Sequence, residues 1–237
     1  MTVDSAAIPW PAARILRILQ FGDSMLPVGA FAFSAGLETA IAKGMVADAD
    51  GLRAYTRTAL EQSVRGDAVG LIRAHRAAWD DDIAELRHVD AELYARKLSS
   101  ETRIMSVRMG KKLNELSAEI ITAPLLRRWR EEIVRGATPG CYPVALGINF
   151  AVQGLPARDA FAVHQYGVAV MILGAALRLM RIDHIETQRI LYELNTQVDV
   201  DYEEAAATPL ADMAGFAPVM EILAAAHVKA KVRLFMS

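Results

Sequence analysis

The run Asp80-Asp81-Asp82-Ile83-Ala84-Glu85 is, by residue type, the stretch of this chain best suited to metal chemistry. Closely spaced carboxylates hold magnesium, and magnesium in turn holds diphosphate. Such a run would serve an all-α, magnesium-dependent isoprenoid-diphosphate enzyme if a facing helix supplied a second acidic set. The nearest candidate, NTQVDVDYEE from Asn195 to Glu204, has acids but lacks the hydroxyl and acid spacing that a second set requires. Aspartates at a helix start also act as caps and as partners of the helix dipole, which is the simpler reading.

A second candidate is FGDSMLPVGAFAFSAGLE, Phe21 to Glu38, which sets Gly29 and Gly36 ahead of a helix, as a phosphate cradle would. A Walker loop needs a lysine and a Ser or Thr directly after its last glycine, and a dinucleotide loop needs closely spaced glycines after a strand. Here Leu37 and Glu38 follow Gly36, and the preceding element reads as a helix. The Glu38 carboxylate would repel phosphate, so nucleotide binding is not expected. The histidines, at 75, 88, 164, 184 and 227, form no H-x-x-x-H pair and have no cysteine nearby. Cys141 has no neighbouring base in sequence and reads as a packing thiol. No G-x-S-x-G elbow occurs. No catalytic, metal or cofactor site follows from spacing.

The chain of 237 residues is 53% hydrophobic, much of it alanine, which favours helix over sheet. A formal net charge of -2 leaves no electrostatic footprint for nucleic acid or an anionic membrane, so proteins or small molecules are the expected partners. One cysteine allows no internal disulfide and suits a reducing compartment. The opening MTVDSAAIPWPAAR lacks the basic and apolar regions of a secretory signal. The longest apolar run, Tyr166 to Leu177, is well short of the ~20 residues of a spanning helix and reads as core. A soluble, cytoplasmic protein is expected.

Helical periodicity predicts segments over 12–21, from Ser34 as cap to Lys43-Gly44, 48–66, 67–79, 82–98 and 99–123. Further segments are predicted over 125–134, 144–153, 156–180, 184–200 and 216–230. No alternating apolar and polar run, hairpin turn or repeat is present. The expectation is one all-α domain over 1–237, a helical bundle of about ten helices. Its N-terminus, about 1–10, is expected to be flexible, and its tail, about 228–237, to order on partner binding.

Two further stretches stand out. In RIMSVRMGKKL, Arg103 to Leu113, Gly110 sits in mid-helix, where it costs stability unless another backbone approaches closely. The tail HVKAKVRLFMS combines Lys229, Lys231 and Arg233 with Val232, Leu234 and Phe235. A terminus this apolar docks into its own fold or serves a partner.

Together these stretches resemble the urease accessory protein UreF family. Leu26-Pro27-Val28-Gly29, then Phe31, Ser34, Gly36, Leu37 and Glu38, resemble its N-terminal motif L-P-x-G-[GA]-[FY]-x-x-S-x-G-L-E. Glu101-Thr102-Arg103 with Arg108 and Gly110 resembles the E-x-R and R-x-G pattern of its central helices. Ala176 to Leu191, with Arg178, Gln188 and Arg189, resembles a late helix and the segment after it, and Arg233-Leu234-Phe235-x-Ser237 its R-L-F-x-S ending. The chain departs from the family at Ile182-Asp183-His184, where many members carry Leu-Gly-Gln. The resemblance implies a non-enzymatic, all-α, dimeric maturation factor without a cofactor of its own. It implies binding to UreD (also called UreH), recruitment of the GTPase UreG and delivery of nickel to apo-urease. Pro27 to Glu38, Glu101, Arg108 and Arg178 would then serve the complex with the GTPase, and Arg233 to Phe235 the contact with UreD.

Overall fold

A computed structural model describes residues 11–214, 217–227 and 234–235. Arg233, the first ten residues and the rest of the tail lie outside the described residues. The described residues form twelve α-helices and three short 3-10 turns, and no strand occurs among them. The helices are α1 (Pro11–Gly22), α2 (Leu37–Ala42), α3 (Ala49–Arg65), α4 (Asp67–Trp79), α5 (Ile83–Arg96) and α6 (Ser100–Ile120). They continue with α7 (Pro124–Val134), α8 (Tyr142–Val152), α9 (Ala157–Leu179), α10 (His184–Leu194), α11 (Val198–Ala207) and α12 (Pro218–His227).

Side chains cap four of these starts, at Asp48, Asp82, Ser99 and Asp183. Asp48 accepts the Gly51 amide at 2.8 Å, and Ser99 accepts that of Glu101 at 3.2 Å. These contacts satisfy donors that a helix leaves without an internal partner. One predicted helix is broken in two: that expected over 184–200 stops at Leu194, and a turn at Asn195–Gln197 leads into α11. The acids at Asp199 and Asp201, set aside as a poor metal motif, occupy the first turn of α11, where the helix dipole favours them.

Two apolar clusters make the core. One gathers α4, α5, α7 and α8 around Leu71, Leu86, Leu126, Trp129 and Phe150, with Phe33 of the opening loop among them. The other joins α2, α3, α10 and α12 around Leu37, Leu52, Ile190 and Leu223. The helix α9 belongs to both, giving Phe161 and Val163 to the first and Ile172, Leu173 and Ala176 to the second. It extends the apolar run anticipated over 166–177 to 23 residues, which by length and composition could cross a membrane. In this fold α1, α3, α4, α8 and α10 pack around it, and 56% of its apolar window is buried, as a core helix requires.

Within the first cluster, α6 runs directly against the turn that enters α8. A Cβ on Gly110 would stand 2.2 Å from the Gly140 carbonyl oxygen and 2.6 Å from the Tyr142 nitrogen. These are backbone atoms that cannot swing aside, so glycine lets the helix and the turn touch. Gly110→Ala gains ~1 kcal/mol of helix propensity but forces the two apart, at about 3 kcal/mol for an overpacked site. Urea denaturation is expected to show a net loss of about 2 kcal/mol.

Candidate functional site

The opening loop is built by successive turns. The Asp23 carboxylate accepts the Met25 amide at 2.8 Å, and Gly29 enters the 3-10 turn Ala30–Ala32. Ala35 and Gly36 then both adopt left-handed backbone, with φ of 50° and 80°. Glycine takes this conformation without a Cβ clash, and the Tyr55 hydroxyl braces it by donating to the Ala35 carbonyl at 2.6 Å. The helix predicted to start with Ser34 as cap therefore begins two residues later, with Gly36 in the cap position. The Ser34 carbonyl accepts the Leu37 amide at 3.0 Å, while its hydroxyl is buried with no hydrogen-bond partner among the described residues.

The apolar side chains Val28, Phe33 and Leu37 of this loop are buried in the core. Burying those side chains fixes the loop and leaves Met25 and Pro27 exposed. Phe31 lies in the 3-10 turn.

Glu38, in the first turn of α2, binds the other end of the chain. One carboxylate oxygen accepts the Leu234 amide at 2.9 Å and the other the Phe235 amide at 3.2 Å. Two successive amides on one carboxylate form a charge-assisted pair, stronger than neutral hydrogen bonds. Phe235 is 5% exposed and belongs to the second cluster, and Leu234 projects outward at 73%. Arg178, in the last turn of α9, lays its guanidinium 4.3 Å from the centroid of the Phe235 ring. Four of the residues singled out in the sequence, Glu38, Arg178, Leu234 and Phe235, thus meet in one clasp.

The remaining candidates sit on other elements. Glu101 is buried in the first turn of α6, Arg108 is exposed further along it, and Gly110 is consumed by the contact with Gly140. Gln188 is exposed on α10. At the departure Ile182-Asp183-His184, Asp183 caps α10 by accepting the Glu186 amide at 2.8 Å.

Spacing gave no sign of two cavities beside the loop. One of about 300 Å³ lies between residues 21–30, α6 and α9, lined by Met25, Met105, Met109, Val170, Met171 and Arg178. The other, of about 160 Å³, lies among Gly36, Lys97, Thr102, Met105, Met171 and Met220. Both include Asp67, Met105, Val168 and Met171 in their walls. Methionine at three-to-four-residue spacing reads equally as core, so only the tertiary arrangement reveals such a wall.

A polar group stands where the cavities adjoin. Lys97 Nζ lies 2.6 Å from Asp67 Oδ1, and His164 Nδ1 lies 3.3 Å from the Ser63 hydroxyl. Burial pushes His164 down to about 4, against the pull of Asp67, so its ring is neutral at physiological pH. Burial alone would raise the Asp67 carboxyl, but the charge of Lys97 and the nearby His164 bring it below its ordinary value.

The acidic run does structural work. Asp82 caps α5 by accepting the Ala84 and Glu85 amides, both at 3.0 Å, and Asp81 pairs with Arg128 through both carboxylate oxygens at 2.9 Å. Among the described residues no three His, Cys, Asp or Glu side chains stand together as metal ligands. Cys141 is buried beside Asp90, and burial with that carboxylate keeps its thiol well above the ordinary range.

These features define an all-helical protein whose two ends are tied together across a long central helix. A model of the UreF family matches residues 46–195. Urease accessory protein UreF 2 of Brucella canis is 52% identical over 223 residues, spanning 94% of this chain and 92% of that protein. Urease accessory protein UreF 1 of Brucella melitensis biotype 1 has the same identity and coverage. Urease accessory protein UreF of Yersinia enterocolitica is 46% identical over 94% of this chain and 98% of its own length. The chain belongs to the UreF family.

The buried histidine gives this site a pH dependence. Between pH 6.5 and about 4 the unfolded chain binds a proton at His164 that the folded chain excludes, so stability falls as pH falls through this window. The loss is expected to approach 3 kcal/mol. Urea midpoints at successive pH values check it, and His164→Gln is expected to flatten the dependence.

Proposed function

We propose that this chain is a urease accessory protein that serves nickel insertion through protein surfaces. Its membership in the UreF family, with relatives of that printed name over 94% of its length, carries the reading. In it the chain acts in the cytoplasm as a homodimer, binds UreD (UreH), recruits the GTPase UreG and brings nickel as cargo to apo-urease. Residues 1–237 act as one domain whose tail takes part in assembly. The chain is not itself an enzyme, and the GTP chemistry belongs to UreG, since the opening loop lacks the lysine and hydroxyl of a phosphate cradle.

Within that complex, the loop from Pro27 to Glu38 and Arg178 serve the GTPase, and the tail from Arg233 to Phe235 serves UreD. The clasp supports this division, because Glu38 and Arg178 hold the tail next to the loop and so make the two partner regions adjacent. Arg108 and Gln188, both exposed, complete the partner-facing set, and Glu101 takes part from a buried position at the start of α6. Turnover of an isoprenoid diphosphate is not favoured, since Asp81 and Asp82 are engaged in an ion pair and a helix cap.

Urease co-expressed with its other accessory proteins is expected to hold little nickel and hydrolyse little urea without this chain, and to regain both with it. Equal nickel content in the two preparations would defeat the reading. In pull-downs Glu38→Ala is expected to weaken partner binding by about tenfold, the worth of one charge-assisted hydrogen bond. Undiminished binding of both UreD and UreG by this variant would remove the assignment of the loop and tail.

A further inference from the structure

We propose that Arg178 is a positioning residue for the C-terminal tail: it influences partners through Phe235, as one jaw of a clasp whose other jaw is Glu38. The partner arm of this proposal rests on the function proposed above, and the tail arm stands without it.

The two jaws do different things. Glu38 receives its hydrogen bonds from main-chain amides, which every residue except proline offers. It therefore fixes where the chain lies without selecting which residue lies there. Selection falls to Arg178 and to the apolar pocket of the second cluster that takes the Phe235 ring. The guanidinium stands well within the range at which a cation is attracted to an aromatic face.

Arg178 is itself held in place. It lies in the last turn of α9, where the helix dipole favours a cation, and its Nε stands 3.4 Å from the Gly174 carbonyl. The same residue lines the larger cavity together with Gly174 and Met171. One arginine thus joins the tail to the cavity beside the opening loop. Between the two held points, Leu234 is fixed through its backbone and turned outward. Losing the Arg178 jaw would release Phe235 and spoil the display of Leu234 with no contact to a partner being removed. Lysine would be a poor replacement, because an ammonium lacks the flat face that stacks on a ring.

The test has two arms. Amide exchange at Leu234 and Phe235 is measured in the full chain alone, and Arg178→Ala is expected to speed it about two- to fivefold. Arg178→Lys should fall between that variant and the unchanged chain. Unchanged exchange at both amides in Arg178→Ala would overturn the proposal. Affinity for UreD, the partner that the proposed function assigns to the tail, is then measured for Arg178→Ala, Phe235→Leu and the double variant. Phe235→Leu keeps an apolar side chain in the cluster. If Arg178 acts through Phe235, the double variant binds no more weakly than the weaker single one, whereas losses that multiply would overturn the proposal. A chain ending at Arg233 supplies a second background in which Arg178→Ala should change nothing. If the unchanged chain fails to bind UreD at all, the functional reading falls, and the exchange result still decides the clasp.

Discussion

One buried carboxylate organises the middle of this molecule. Asp90 on α5 is fully buried and accepts the Thr138 hydroxyl at 2.5 Å, the Gly140 amide at 2.6 Å and the Cys141 amide at 2.8 Å. A buried charge is tolerated only when it is hydrogen-bonded, and these three donors bond both of its oxygens. They also fix the turn that starts α8, with the negative charge beside the positive end of that helix. The carbonyl of the same Gly140 touches Gly110 of α6. The positions of α5, α6 and α8 are therefore set by a single node. Because α8 packs on α4 and leads through a short turn into α9, the direction of the central helix follows from it.

The central helix carries that constraint to the site. Near its start, Asp159 pairs with Arg14 of α1, which aims the opening loop along the helix. At its end, Arg178 meets Phe235. Between these points Val163, Val170, Met171 and Gly174 face the loop across the larger cavity. The stretch from Phe21 to Glu38 and the last residues of the chain thus come together because both are measured against one rigid rod of 23 residues.

Helix and core were largely legible in the sequence, because capping residues and apolar spacing are local signals. Asp82, in an acidic run at a helix start, reads as a cap and acts as one. Ser34 misled because it has the right residue type but sits ahead of two left-handed residues, and the left-handed turn at Ala35 carries no sequence mark. The break at Asn195–Gln197 was hidden because helical spacing runs on through it. Asp90 was invisible for a different reason: its partners lie 48 to 51 residues away, and one aspartate on a helix looks like any solvated acid. The cavities escaped notice likewise, since each wall is assembled from several helices. Family motifs marked Glu38, Arg178 and the tail as notable, but only the fold shows that they touch one another.

That contact changes what the motif at the start of the chain can mean. A glutamate after a glycine at a helix N-terminus could be there for the helix dipole alone, which is worth a few tenths of a kcal/mol to about 1 kcal/mol. Here its carboxylate also accepts two amides from the far end of the chain. Charge-assisted hydrogen bonds are worth about 1.5–3 kcal/mol each, while ordering backbone costs about 1–2 kcal/mol per residue. The two terms are of one size, so the clasp holds Leu234 and Phe235 without a large reserve. The additional hold from Arg178 and the buried ring is then of the size that decides the balance. The same smallness makes the clasp easy to shift. A partner that prefers one arrangement of the tail need supply only a modest difference in binding free energy to select it.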